Sequence, residues 1–97
     1  MEEKLHRIRN WANRGTLLQF YSELSGKLAK SGYQAEMKGN EVRFYRVKKS
    51  GGFLGIGVKK QKDLVLEVIR QGTDLRIPAE SADPEFVDFI MPMLRAH

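Results

Sequence analysis

The sequence predicts an α+β domain with an N-terminal helix or helical hairpin, an antiparallel meander of roughly four to five strands and a C-terminal helix. Three observations carry this prediction. Apolar residues recur at spacings of three and four before Ser31, and alternating or β-branched runs fill Tyr33 to Ile77. A nearly all-apolar segment led by Asp83-Pro84 then closes the chain.

In Glu2 to Arg14 the apolar residues Leu5, Ile8, Trp11 and Ala12 form one helical face, with acids in the first turn, Arg14 in the last and Gly15 as the stop. Thr16-Leu-Leu-Gln19 has the capping-box pattern, in which Thr16 and Gln19 satisfy each other's free backbone donors. The stripe Leu17, Phe20, Tyr21, Leu24 and Leu28 follows, and Gly32 ends the helix. A bridged Arg14 to Thr16 would instead give one long helix, because an interior Gly costs only about 1 kcal/mol.

Tyr33, Ala35 and Met37 alternate with polar residues, and Gly39-Asn40 turns the chain into the strand formers Glu41 to Lys48. Val42 and Phe44 share one face of this second strand, Tyr45 and Val47 the other. Either both faces are covered or a bulge shifts the register. A glycine-rich run, Gly51 to Val58, leads to a polar turn at Lys59 to Lys62 and the most apolar strand, Leu64 to Ile69. There Leu64, Leu66 and Val68 are expected on one face and Val65 and Ile69 on the other. Gly72-Thr73 suits a tight hairpin turn returning through Leu75 and Ile77. Asp83 is the N-cap of the last helix, Pro84 its first residue, and Pro92 is expected to kink or end it.

Ninety-seven residues make one domain, residues 1–97. A chain of this size buries roughly 60 to 70% of its unfolded surface. The balance of 41% hydrophobic and 30% charged residues belongs to a folded chain. There is no cysteine, the N-terminus lacks the apolar stretch of a secretory signal, and no segment approaches the roughly 18 apolar residues of a membrane span. A cytoplasmic, soluble protein is expected.

Charge is the strongest functional signal. Lys38 to Lys62 holds eight of the 17 basic residues and a single acid, Glu41, whereas the chain after Lys62 is acidic. Arg43, Arg46, Lys48, Lys49, Lys59, Lys60 and Lys62 suit phosphate contacts, and Tyr45 or Phe44 suits stacking on unpaired bases. Arg43 and Tyr45 are expected on the exposed face. Nucleic-acid binding through this basic hairpin is the leading expectation, against lysines that merely discourage edge-to-edge aggregation. The glycine run fails the P-loop spacing, because Gly57 is followed by Val58-Lys59 rather than Lys-Ser/Thr. A turn or bulge tucking Phe53, Leu54 and Ile56 inward explains it better than a membrane-dipping tip.

Lys48-Lys49-Ser50-Gly51-Gly52-Phe53-Leu54-Gly55-Ile56-Gly57, with the lysines that follow, resembles the KKGFLGIG-type segment in the N-terminal domain of the Jag family, bacterial proteins associated with RNA binding. The resemblance covers residues 48–60, implies a local turn structure and adds slightly to the nucleic-acid expectation. In that family the domain runs strand, helix, strand, motif, strand, whereas here two helical segments come first and another hairpin intervenes. The KH domain that carries the family's nucleic-acid contacts has no counterpart in these residues.

The C-terminal segment supplies the rival expectation. Phe86, Phe89, Ile90, Met91, Met93 and Leu94 leave little polar surface, so a homodimer or other protein partner is expected there if the domain does not bury them itself. No catalytic residue, metal site or cofactor is expected. The two histidines, His6 and His97, lie near or at the termini, and the acids Glu80, Asp83, Glu85 and Asp88 have helix-capping roles.

Overall fold

The computed structural model describes residues 1–50 and 59–95. The glycine-rich run from 51 to 58, with its expected turn and membrane-tip alternatives, lies outside the described residues. The elements are α1 (Glu2–Ala12), α2 (Leu17–Ala29), β1 (Tyr33–Lys38), β2 (Glu41–Ser50), β3 (Lys59–Gln71), β4 (Asp74–Arg76), a 3-10 turn (Ala79–Ser81) and α3 (Pro84–Arg95). One antiparallel sheet has the order β1-β2-β3-β4.

The first two helices are separate. Both arms of the capping box form, Gln19 N donating to Thr16 Oγ1 at 3.1 Å and Thr16 N to Gln19 Oε1 at 2.9 Å, so α2 starts afresh after α1. Among the described residues three turns use glycine at positive φ, namely Gly32 (83°), Gly39 (61°) and Gly72 (63°). Asn40 ties its turn to β3, its side-chain amide donating to the Arg70 carbonyl at 2.8 Å.

The core lies on one face of the sheet. Ala35, Phe44 and Leu66 are successive register partners, as are Val42 and Val68, and all five are buried. Against them pack Leu5, Ile8 and Ala12 of α1, Phe20, Leu24 and Leu28 of α2, and Phe86, Val87 and Ile90 of α3. Phe44 is the junction, its ring meeting Phe20 at 5.7 Å and Phe86 at 5.4 Å between centroids. No described element covers the opposite face.

Three expectations are corrected. Lys59 to Lys62 is not a turn but the start of β3, because each of its residues has a register partner on β2, from Lys59 opposite Ser50 to Lys62 opposite Val47. The alternation of Leu64, Leu66 and Val68 breaks, because Phe44 pairs with Leu66 while Tyr45 pairs with Leu64. Val65 is thus an extra residue, a bulge that puts Val65 in the core and leaves Leu64 40% exposed. Finally, of the two outcomes expected at Pro92, a kink or an end, the end is overturned, because α3 runs through Pro92 to Arg95. Pro92 and Asp88 both lie on the solvent side, where water can satisfy the Asp88 carbonyl that Pro92 cannot.

The bulge and α3 are joined by one residue. Asp83 N donates to the Val65 carbonyl at 2.8 Å, and the Asp83 carboxylate accepts from Phe86 N at 3.2 Å and from the Arg46 guanidinium at 2.7 Å. Asp83→Ala is expected to lower unfolding free energy by about 1 to 2 kcal/mol, the scale of a lost helix cap. Asp83→Asn, which keeps the capping oxygen but not the charge, should recover part of this in urea denaturation.

Candidate nucleic-acid interface

The uncovered face is built in rows of register partners. Glu36, Arg43 and Glu67 form one row, Gln34, Tyr45 and Leu64 the next, and Val47 with Lys62 the one after. The first of these rows is electrically closed. Arg43 reaches Glu41 at 2.9 Å and Glu67 at 3.5 Å, and Lys62 reaches across to Glu36 at 2.8 Å. A hydrogen bond to Tyr45, together with the Glu41 carboxylate, holds the Arg43 pKa above its ordinary value. The Lys62 ammonium also stands 5.9 Å from the centre of the Tyr45 ring, within cation-π range.

Arg46 belongs to the other face. Besides Asp83 at 2.7 Å it reaches Glu85 at 3.7 Å and lies 5.8 Å from the Tyr33 ring. Its raised pKa has the hydrogen bond to Tyr33 as main cause and the bond to Asp83 as second. This arginine anchors α3 to the sheet.

Beyond Val47, whose amide donates to the Gly32 carbonyl at 2.9 Å, β2 has no described neighbour except β3. On its far side β3 pairs with β4 only over Ile69, Arg70 and Gln71. Lys48–Ser50 and Lys59–Gln61 therefore continue as a two-stranded ribbon, with Lys49 opposite Lys60, Lys48 opposite Gln61 and Ser50 opposite Lys59. Like charges opposite one another weaken strand pairing. From Val42 through Lys62 the chain contains no acid.

The eight expected nucleic-acid residues thus separate into groups. Arg43, Tyr45 and Lys62 share the open face with acids, Lys48, Lys49, Lys59 and Lys60 are on the ribbon, and Arg46 is committed to Asp83. Of the six expected interface residues, Phe86 and Ile90 are 0% exposed and Leu94 9%. They form the domain's own core, which removes them from any surface, whereas Phe89, Met91 and Met93 are only partly buried against it. Sequence reasoning missed Leu64 as a surface residue and Glu36 and Asp83 as charge partners. The three consecutive apolar residues Leu64-Val65-Leu66 were the available signal, since a strand that changes parity at a bulge places apolar side chains consecutively.

Among the described residues no group of three or more His, Cys, Asp or Glu side chains could hold a metal ion, and no helix is long and apolar enough to cross a membrane. No family model, curated protein or solved structure matches this chain.

The two kinds of cation should separate in a stability measurement. Arg46→Glu places like charge against Asp83 and Glu85 and should lower the urea midpoint clearly. Lys49→Glu puts an acid opposite Lys60 and should leave the midpoint unchanged or raise it.

Proposed function

We propose that the protein is a non-enzymatic binding domain for nucleic acid, RNA or single-stranded DNA, and that it holds the phosphate backbone through the lysines of the β2–β3 ribbon. One observation carries the reading. Both arginines of β2 have carboxylate partners, whereas the ribbon sets Lys49 opposite Lys60 within a stretch, Val42 to Lys62, whose sequence contains no acid. Lysines that served only to blunt a strand edge would not need to face one another at a cost to pairing. Phosphates would remove that cost and release condensed counterions. The alternative, a protein partner or second copy held by α3, has less support, because Phe86, Ile90 and Leu94 are already used by the core.

Binding of a fluorescently labelled oligonucleotide, followed by anisotropy against salt, tests this reading. With the four ribbon lysines Lys48, Lys49, Lys59 and Lys60 on phosphates, log K should fall against log salt with a slope of about −3 for a single strand. Lys49→Glu with Lys60→Glu should weaken binding at least about tenfold, corresponding to lost charge-assisted contacts. Glu36→Gln frees Lys62 from its partner at 2.8 Å and should tighten binding a few-fold. No binding at low salt, or binding indifferent to the lysine substitutions, overturns the proposal.

A further inference from the structure

We infer that Tyr45 and Leu64 form a base-stacking platform at the root of the ribbon, so that the ligand is a strand offering at least one unpaired base. This rests on the nucleic-acid reading above and adds to it a subsite and a strand state.

The first ground is the position of Leu64. Among the described residues only Met1, Leu18 and Leu64 are large, apolar and exposed, at 45%, 57% and 40%. Met1 precedes α1 and Leu18 is in the first turn of α2, whereas Leu64 stands on a sheet face otherwise tied together by ion pairs. By simple alternation with Leu66 and Val68 it would lie in the core. The bulge at Val65 brings it out, opposite Tyr45. An apolar residue turned outward by a built irregularity, directly beside an aromatic ring, makes a flat surface that charge alone does not require.

The second ground is what surrounds the ring. Tyr45 has two cations as neighbours, the Lys62 ammonium 5.9 Å from its centroid and Arg43 two residues away on the same face of β2. A nucleotide presents an apolar π-face and an adjacent anion, and this row presents a ring with adjacent cations. Continuity supplies the third ground. The rows Tyr45 with Leu64, Val47 with Lys62 and Lys49 with Lys60 follow one another along the same two strands. Each step of two residues is about 6.7 Å, so a strand seated on the platform can run along the ribbon with its phosphates beside the lysines. A duplex keeps its base faces inside the stack and gains nothing from the ring. An anionic membrane would use the lysines but has no need of the aromatic row, so it serves as an alternative outcome.

The test compares an oligonucleotide of about ten nucleotides, within the usual site size of such surfaces, as a single strand and as a duplex. Tyr45→Ala should weaken single-strand binding about tenfold, the scale of one lost stacking contact, and leave duplex binding unchanged. Tyr45→Phe should retain the affinity, and 2-aminopurine placed in the strand should lose fluorescence on binding the unaltered protein but not Tyr45→Ala. Leu64→Lys adds a charge, so electrostatics alone would raise both affinities together; the platform requires the preference for single strand over duplex to fall. Equal losses for both strand states in Tyr45→Ala, or damage by Tyr45→Phe as great as by alanine, would sink the platform while leaving the lysine-dependent binding standing. Anionic vesicles bound with neither oligonucleotide form bound would remove the platform and the nucleic-acid reading together.

Discussion

The bulge at Val65, held by Asp83, is the constraint on which the rest of the arrangement depends. β3 carries one residue more than β2 between the pairs Phe44 with Leu66 and Tyr45 with Leu64. The surplus carbonyl is not left unsatisfied, since Val65 accepts from Asp83 N at 2.8 Å. The same Asp83 caps α3 through Phe86 N and binds Arg46. The start of the last helix, the parity of the third strand and the commitment of an arginine are therefore one structure. Phe86, brought in at the first turn of α3, then meets Phe44 and closes the aromatic core.

From this junction follows a division of labour among the cations. Arginine suits fixed, multiply bonded positions, because its planar fork donates to several acceptors at once. Here Arg46 holds Asp83 with Glu85 near, and Arg43 holds Glu41 and Glu67. The four residues from Lys48 to Ser50 and Lys59 to Lys60 that carry charge are all lysines, compact ions on flexible stems. The net charge of +5 understates the asymmetry, since acids in the sheet and in α3 offset charge near the body of the domain and none lies on the ribbon strands.

Local rules made much of the fold legible. Thr16 with Gln19 marked the second helix, Pro84 after Asp83 marked the third, and the turns at Gly39 and Gly72 bracketed strands that do form. Meaning was lost where the partner lay far along the chain. Lys59 to Lys62 looked like a polar turn because lysine is a weak strand former, yet pairing with β2 overrides that preference. Arg46 looked like part of a basic face because nothing nearby announces Asp83, 37 residues on. The apolar breadth of α3 left an interface and internal burial both open, and the placement of the helix against α1 and the sheet buries its stripe Phe86, Val87, Ile90 and Leu94. The candidate site was legible as charge but not as geometry: the lysines could be counted, while their opposition across a ladder required a register.

That register gives the ribbon its physical character. Two ammonium groups on register partners repel, and in an antiparallel pair the Cα atoms are only about 4.5 to 5.5 Å apart. Within the sheet body a third strand can supply an acid, as β1 supplies Glu36 to Lys62. Pairing with β1 ends at Tyr33 opposite Arg46, and β4 pairs only with Ile69 to Gln71 at the far end of β3, so among the described residues no third strand lies beside the ribbon. On the proposed reading, an anion laid across Lys49 and Lys60 would take the place of such a strand. Because a ligand that favours the paired state stabilises it by mass action, the proposed phosphate contact and strand pairing would reinforce one another in this part of the sheet.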